Sequence, residues 1–334
     1  YRLPLHGEST AWSDLARWWE DLGYEYNEHS HKSSFVIQLP QIAFVGLKES
    51  RTVLSFGELL ANVFGPPLNL VKEPASKNQD NIRLHHLLET VSGFEVSAFN
   101  AGAESISVPE INREPVDWTD PSSPPFAYQL YHVWARLKSL NHARAEIKEK
   151  ELELRAAVSS PEGLACAYLL GAASVSRASS LASHSPLQYL FALDQVGVSV
   201  SLCSQRSLAG AGEAGHKAFD KLFRAGVRVA LCTEDPSVSH HSDDPLGQEF
   251  GLARSLLGLN DADLEEICSN SKAMSTFPEL RAAVTPPAVE EKPATSMAEV
   301  IPWGTIRHRF REARREAELA WIQRLVPEKD KKDV

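Results

Sequence analysis

The run Val227–Pro236, Val-Arg-Val-Ala-Leu-Cys-Thr-Glu-Asp-Pro, most restricts the folds open to this chain. It is a short apolar segment closed by two acids and a proline, which is the pattern of a buried strand ended by a turn. Similar runs occur at Phe35–Pro40, Val91–Val96, Glu151–Arg155, Ala172–Ser176 and Val198–Leu202. Segments of helical spacing lie between them, at Trp12–Trp19, Phe126–Arg144, Pro186–Gln195 and His216–Ala225. Such alternation predicts an α/β fold on a parallel sheet. An acid pair at the C-terminal end of a strand stands where a (β/α)8 barrel keeps its chemistry.

With 334 residues, 43% of them hydrophobic, the chain is long enough for one such barrel. Its net charge of −10 speaks against nucleic acid as a partner. The basic run Arg307–Arg315 is interleaved with acids and reads as a solvated helix face. Cys166, Cys203, Cys232 and Cys268 are widely spaced, as expected of buried, reduced thiols in an intracellular compartment, cytoplasmic or organellar, mitochondria included. No apolar run approaches the ~20 residues that cross a bilayer.

Several local readings follow from the residues. His29-Ser30-His31 has the spacing of a zinc pair. It precedes the strand at Phe35, however, and so falls at the barrel's N-terminal end; a surface loop is expected. Residues 52–72 read as a helix followed by an extended Gly65-Pro66-Pro67 loop. His85 and His86 fall in an amphipathic helix. Residues 101–125, rich in Pro, Ser and acids, read as a long loop. The expected domains are a barrel over 1–280, a Pro- and acid-rich linker over 281–302, and a C-terminal helix over 303–328.

Particular stretches carry a resemblance to the AMP deaminase family, spanning about 1–325 in family order. Tyr1-Arg2-Leu3 and the Trp12–Trp19 helix match the family's segment after its first barrel strand. Pro124-Pro125-Phe126-Ala127-Tyr128 through Leu140-Asn141-His142-Ala143-Arg144 resembles its Asn-Pro-Pro-Tyr-Ala-Tyr…Leu-Asn-His-Leu-Arg helix. Pro186–Gln195 follows Val-Leu-Gln-Tyr-Leu-Tyr-Tyr-Leu-Ala-Gln, and 232–277 follows the last strand and its helices. The resemblance implies a TIM-type barrel of the amidohydrolase kind, missing its first strand.

It also implies a site, and there the chain departs from the pattern. The family binds zinc through His-x-His on the first strand, a His after the fifth, and the first Asp of Ser-Thr-Asp-Asp-Pro. Here the last of these is Glu234, and the fifth strand continues Ala156-Ala157-Val158 with no histidine. Glu162 is either a shifted remnant of the family's ring-protonating Glu or an ordinary helix-start acid, the preferred reading. Arg177 stands where a His orients the attacking water; a guanidinium cannot accept a proton and repels a metal ion. Asp235 is the one catalytic position of the family that the chain keeps; in the substrate-binding positions Gln205 and Arg206 replace two asparagines, while Asp235 and His240 match.

The expected function is therefore a pseudoenzyme: an AMP-deaminase-like barrel retained as a structural or regulatory subunit, with other protein subunits as partners in a homo- or hetero-oligomer. No cofactor and no metal are expected, the family's zinc being lost. The alternative is an AMP deaminase of purine nucleotide metabolism, converting AMP to IMP, with its missing ligands supplied upstream of Tyr1. Without a first strand, open edges are expected at the strands near Phe35 and Val227.

Overall fold

A computed structural model of the protein describes residues 1–23, 33–72, 78–98, 111–204, 212–234, 236–282, 284 and 303–325. They divide into two compact units, Tyr1–Ala178 and Ser179–Val334.

In the first unit five parallel strands follow one another in chain order: β1 (Arg2–Pro4), β2 (Phe35–Pro40), β3 (Val91–Ser97), β4 (Glu153–Ala157) and β5 (Ser174–Ser176). Each is short, and Val91–Ser97 and Ser174–Ser176 are buried along their whole length, as strands covered on both faces are. Around them run α1 (Ala11–Asp21), α2 (Gln41–Glu49), α3 (Phe56–Lys72), α4 (Gln79–Thr90), α5 (Phe126–Glu146) and α6 (Pro161–Leu169). His85 and His86 lie on α4, as the spacing requires. Phe94 of β3 is wholly buried, and Trp12 and Phe64 pack on it with ring centroids 6.4 and 5.0 Å away. Each such side chain contributes about 1.5–3 kcal/mol by leaving water.

Two expectations are corrected here. Arg2–Pro4 is a strand paired to Val36–Gln38. The strand at Phe35 thus has neighbours on both sides and is no open edge. Nor do Pro66 and Pro67 form an extended loop; both lie inside α3. A proline in a helix forfeits one hydrogen bond. The buried Val63, Phe64, Pro67 and Leu70 hold the helix on the core across that gap.

Polar residues sit among these strands. Glu95 of β3 is 1% exposed and accepts from Arg2 Nε at 3.0 Å and Gln38 Nε2 at 2.8 Å. Gly93, two residues earlier, is needed for strand approach: a Cβ there would collide with the Glu153 carbonyl oxygen of β4.

The second unit carries the parallel pair β6 (Gly197–Val200) and β7 (Val229–Leu231), with Val198, Ser199 and Val200 opposite Val229, Ala230 and Leu231. Its helices are α7 (Ser185–Leu193), α8 (Gly212–Ala225), the single turn α9 (Pro236–Ser239), α10 (Pro245–Leu257), α11 (Asp261–Ala273), α12 (Pro278–Ala282) and α13 (Trp303–Leu325). Asn260 and Asp263 form a capping box at the start of α11. Among the described residues no helix is long and apolar enough to cross a membrane.

The basic run on α13 is not a solvated face. Arg307, Arg311 and Arg315 recur every four residues and so share one side of the helix. Arg307 pairs with Asp263 and Glu266, Arg311 reaches Glu266 at 2.6 Å, and Arg315 Nε donates to the Leu193 carbonyl at 2.5 Å. Burial pushes the Glu266 carboxyl above its usual range, and the two guanidiniums only partly offset it. For Asp263 burial also acts upward, but the Asn260 backbone N–H and Arg307 hold the carboxyl below its ordinary value. The cysteines need a correction too: Cys268 is exposed and only Cys203 is fully buried.

Candidate functional site

The segments that leave β6 and β7 at their C-terminal ends meet in one buried polar network. Glu249, from the second turn of α10, is 0% exposed and its carboxylate is surrounded by donors. It accepts from Ser201 Oγ at 2.6 Å, Leu202 N at 2.6 Å, Cys203 N at 3.2 Å and His240 Nε2 at 2.9 Å. An acceptor-only group in contact with four donors is the arrangement that a buried carboxylate requires.

Local sequence explains how the donors converge. Ser201 follows β6 directly, and its hydroxyl accepts from Ser204 N at 3.2 Å, folding 201–204 into a turn. That turn points the Leu202 and Cys203 N–H groups at Glu249. Asp244 caps α10 by accepting from Gly247 N at 2.9 Å, which sets where Glu249 falls. Ser204 Oγ donates to the Glu234 carbonyl oxygen at 3.0 Å and lies 3.2 Å from Ser239 Oγ, so the turn after β7 is fastened as well. The network thus joins the ends of β6 and β7 to α10.

His240, one of the matched positions, is brought into this network, and its Nδ1 is buried with no hydrogen-bond partner among the described residues. Glu234 joins through its backbone carbonyl, with a half-buried side chain. Arg177 follows β5 directly; it is exposed and holds φ at 59°, a left-handed conformation unusual for a side chain of its size. Glu162 is exposed in the first turn of α6, next to the Ser160 cap, whose hydroxyl accepts from Gly163 N at 3.2 Å. That is the surroundings of a helix-start acid. Gln205, Arg206, Asp235 and the pair His29 and His31 lie outside the described residues, as does most of the 281–302 linker. Sequence reading missed Glu249. The Asp244-Pro245 start of α10 locates a helix, but nothing in a lone Glu within Gln-Glu-Phe announces complete burial.

A zinc site of the family's kind can be tested against these residues. Among the described residues, Cys203, His240 and Glu249 form the one group of three or more donors close enough to share an ion, their ligand atoms all within 4.8 Å of one another. Glu234 does not belong to it.

A second surface lies on the same unit. An open cavity of about 500 Å³ is lined by Tyr189 and Leu193 of α7, Arg224 at the end of α8, and Ile306, Phe310 and Arg314 of α13. Phe310 is 67% exposed there.

Comparison with known proteins agrees with the sequence resemblance. The AMP deaminase family model matches residues 1–326. The chain is 31% identical over 282 residues to AMP deaminase of Saccharomyces cerevisiae, covering 82% of this chain and 33% of that protein. It is 31% identical over 282 residues to a probable AMP deaminase of Oryza sativa, covering 83% and 33%. It therefore spans about a third of the length of the curated relatives it matches. Among solved structures, the adenine deaminase of Arthrobacter aurescens is similar at a TM-score of 0.44 and 15% identity, covering 83% of this chain and 77% of that one. By the family match along nearly its whole length, with parallel strands and helices alternating as in a TIM-type barrel, this chain belongs to the AMP deaminase family.

Proposed function

We propose that this chain is an AMP-deaminase-like pseudoenzyme that serves as a structural or regulatory subunit of a larger protein assembly. The observation that carries the reading is Arg177. The water-orienting position at the end of β5 holds a permanently charged, exposed guanidinium that has no basic lone pair to offer. Replacing one general base lowers a rate by ~10²–10⁴. Glu234 in place of Asp, and Ala156-Ala157-Val158 at the end of β4, add to that loss by removing the metal-activated water. The scaffold keeps what catalysis does not need: the long helix α5, helix α7, and α13 with its cavity and exposed Phe310. Those surfaces supply the docking role.

The test has two parts. Ammonia release from AMP or adenosine is measured on the purified chain; none is expected, and a steady release that falls with Asp235→Asn refutes the reading. Size-exclusion chromatography with light scattering, on native extract and on the isolated chain, is expected to show a larger species in the extract. A folded monomer in both refutes the subunit role.

A second reading is favoured by the intact His240–Glu249 network and by 31% identity to a yeast AMP deaminase. In it the chain is part of an AMP deaminase whose remaining ligands lie in sequence upstream of Tyr1. The ammonia assay on a chain extended in that direction separates the two.

A further inference from the structure

We infer that the groove between α7 and α13, within the second unit, is a docking site for an acidic, amphipathic helix of a partner protein. The inference rests on the subunit reading above and names the chemistry of what docks. The cavity of about 500 Å³ opens between Tyr189 and Leu193 of α7 and Ile306 and Phe310 of α13. Past it, the face of α13 that carries Ile306 and Phe310 continues through Ala317, Trp321 and Leu325, in steps of one or two helical turns. Among the described residues all five of these α13 positions are exposed. From Ile306 to Leu325 the stripe is about 29 Å long, the length of a helix of about 20 residues. A continuous exposed apolar strip rimmed by polar groups marks an interaction surface.

Charge selects the class of partner. Arg307 and Arg311 are matched by Asp263 and Glu266, and Arg224 by Asp220. Arg314 and Arg315 line the groove and are not matched. Arg315 gives its Nε to the uncharged Leu193 carbonyl, and among the described residues no ion pair engages Arg314. Glu318, the one carboxylate lining the groove, accepts from the Tyr189 hydroxyl at 3.2 Å. The surplus of positive charge reaches Arg228, just before β7. Burial and then the neighbouring Arg315 and Arg281 hold its guanidinium below the ordinary range, with Glu312 opposing. A carboxylate laid over Arg314 or Arg315 meets a planar fork of donors that suits it.

The walls select a helix. Both are α-helices, whose backbone groups are spent internally, so they offer no edge to an extended peptide. Side chains at i, i+4 and i+7 of an incoming helix match a straight apolar groove. A second copy of α13 is a poorer occupant, because it brings the same unmatched arginines to the contact. A lipid surface is poorer too. A flat bilayer does not enter a cavity between two helices, and the exposed Glu312 and Glu316, which do not line the groove, repel anionic headgroups.

The test titrates the purified full chain into fluorescein-labelled synthetic helical peptides of about 20 residues, read by anisotropy. One peptide carries leucine at i, i+4, i+7 and i+11 with glutamate on both flanks; a second has lysine for every glutamate; a third is the acidic peptide broken by two central prolines. The acidic helix is expected to bind, more weakly as salt rises, and at least ~10-fold tighter than the other two. Phe310→Ser is expected to weaken it by ~10-fold or more, and Arg314→Glu to weaken it similarly while flattening the salt dependence. Both positions are exposed, and circular dichroism verifies that the variants fold. Four outcomes overturn the inference: no binding of the acidic helix, equal binding of the lysine peptide, affinity unchanged in both variants, or binding only to vesicles of phosphatidylcholine and phosphatidylserine. A dimer of the chain alone that Phe310→Ser dissolves would overturn it as well, by giving the groove to a second copy. Ammonia release and the size of the native species are measured apart from this titration, so the subunit reading and the groove can fail separately.

Discussion

Glu249→Ala should be among the most damaging single substitutions in the second unit. The carboxylate meets four donors, from Ser201, Leu202, Cys203 and His240, at 2.6–3.2 Å. Without it Ser201 can turn to Ser204 Oγ, 3.0 Å away. The other three donors are left buried. At ~1–3 kcal/mol for each stranded group the cost is at least about 3 kcal/mol. Removing one partner of a buried charged contact costs about 3–5 kcal/mol, the same range. At roughly 2–4 °C per kcal/mol, the melting temperature should fall by roughly 6–20 °C. Urea unfolding gives the free energy, and hydrogen exchange at the Leu202 and Cys203 amides gives the local effect. Glu249→Gln retains an acceptor but turns an NH2 group toward a donor, so it should fall between parent and Ala. Adding His240→Ala to Glu249→Ala should cost less than the sum of the two single effects, because the pair has already been broken. A Glu249→Ala protein within ~1 kcal/mol of the parent, with both amides still protected, would falsify the buried network.

Gly93→Ala should destabilise the first unit by several kcal/mol, since its Cβ would strike the Glu153 carbonyl oxygen; a near-neutral urea midpoint would contradict that approach of β3 and β4. His132 is packed 4.3 Å from the Tyr128 ring, and burial lowers its pKa below 6.5, with Glu114 opposing and Arg136 adding to the shift. The unfolded chain then binds the proton more tightly, so this contribution is fully present above pH 6.5 and is lost as pH falls through the lowered folded value. The pH-dependence of stability in that window should flatten in His132→Gln, and an unchanged slope would rule the residue out. Arg311→Ala removes a guanidinium that reaches Glu266 at 2.6 Å and the Phe223 carbonyl at 3.1 Å. Faster proteolysis within 303–325 is expected, and cleavage at the parent's rate would show that the Arg stripe does not hold α13.

Periodicity located most strands and helices because it reports burial, and burial is what forms them. The run at Phe35 coincides with β2, and the 303–325 segment with α13. Readings that used composition in place of geometry went wrong. Arg307, Arg311 and Arg315 looked solvated because acids alternate with them along the chain, yet a four-residue recurrence turns them together toward Asp263 and Glu266. The Pro66-Pro67 pair looked like a break because local propensity opposes helix there, and the buried Val63, Phe64 and Leu70 override it. In the candidate site, His240 could be read by matching to a family. Glu249 could not, since its burial comes from long-range contacts with residues 46–48 positions away.

This contrast separates the buried network from the exposed positions at the strand ends. At the end of a strand, an exposed side chain can change at little cost to the fold; Arg177 directly after β5 is exposed, and β5 is paired to β4. Glu249 serves the chain itself. It takes up two backbone N–H groups of the turn after β6 and the imidazole of the turn after β7, groups that water cannot reach. Substituting it leaves those groups stranded whatever the protein's activity. Change at this end of the chain is therefore limited by the buried clamp. The surfaces freest to change are those outside the clamp, including the α13 groove around the exposed Phe310.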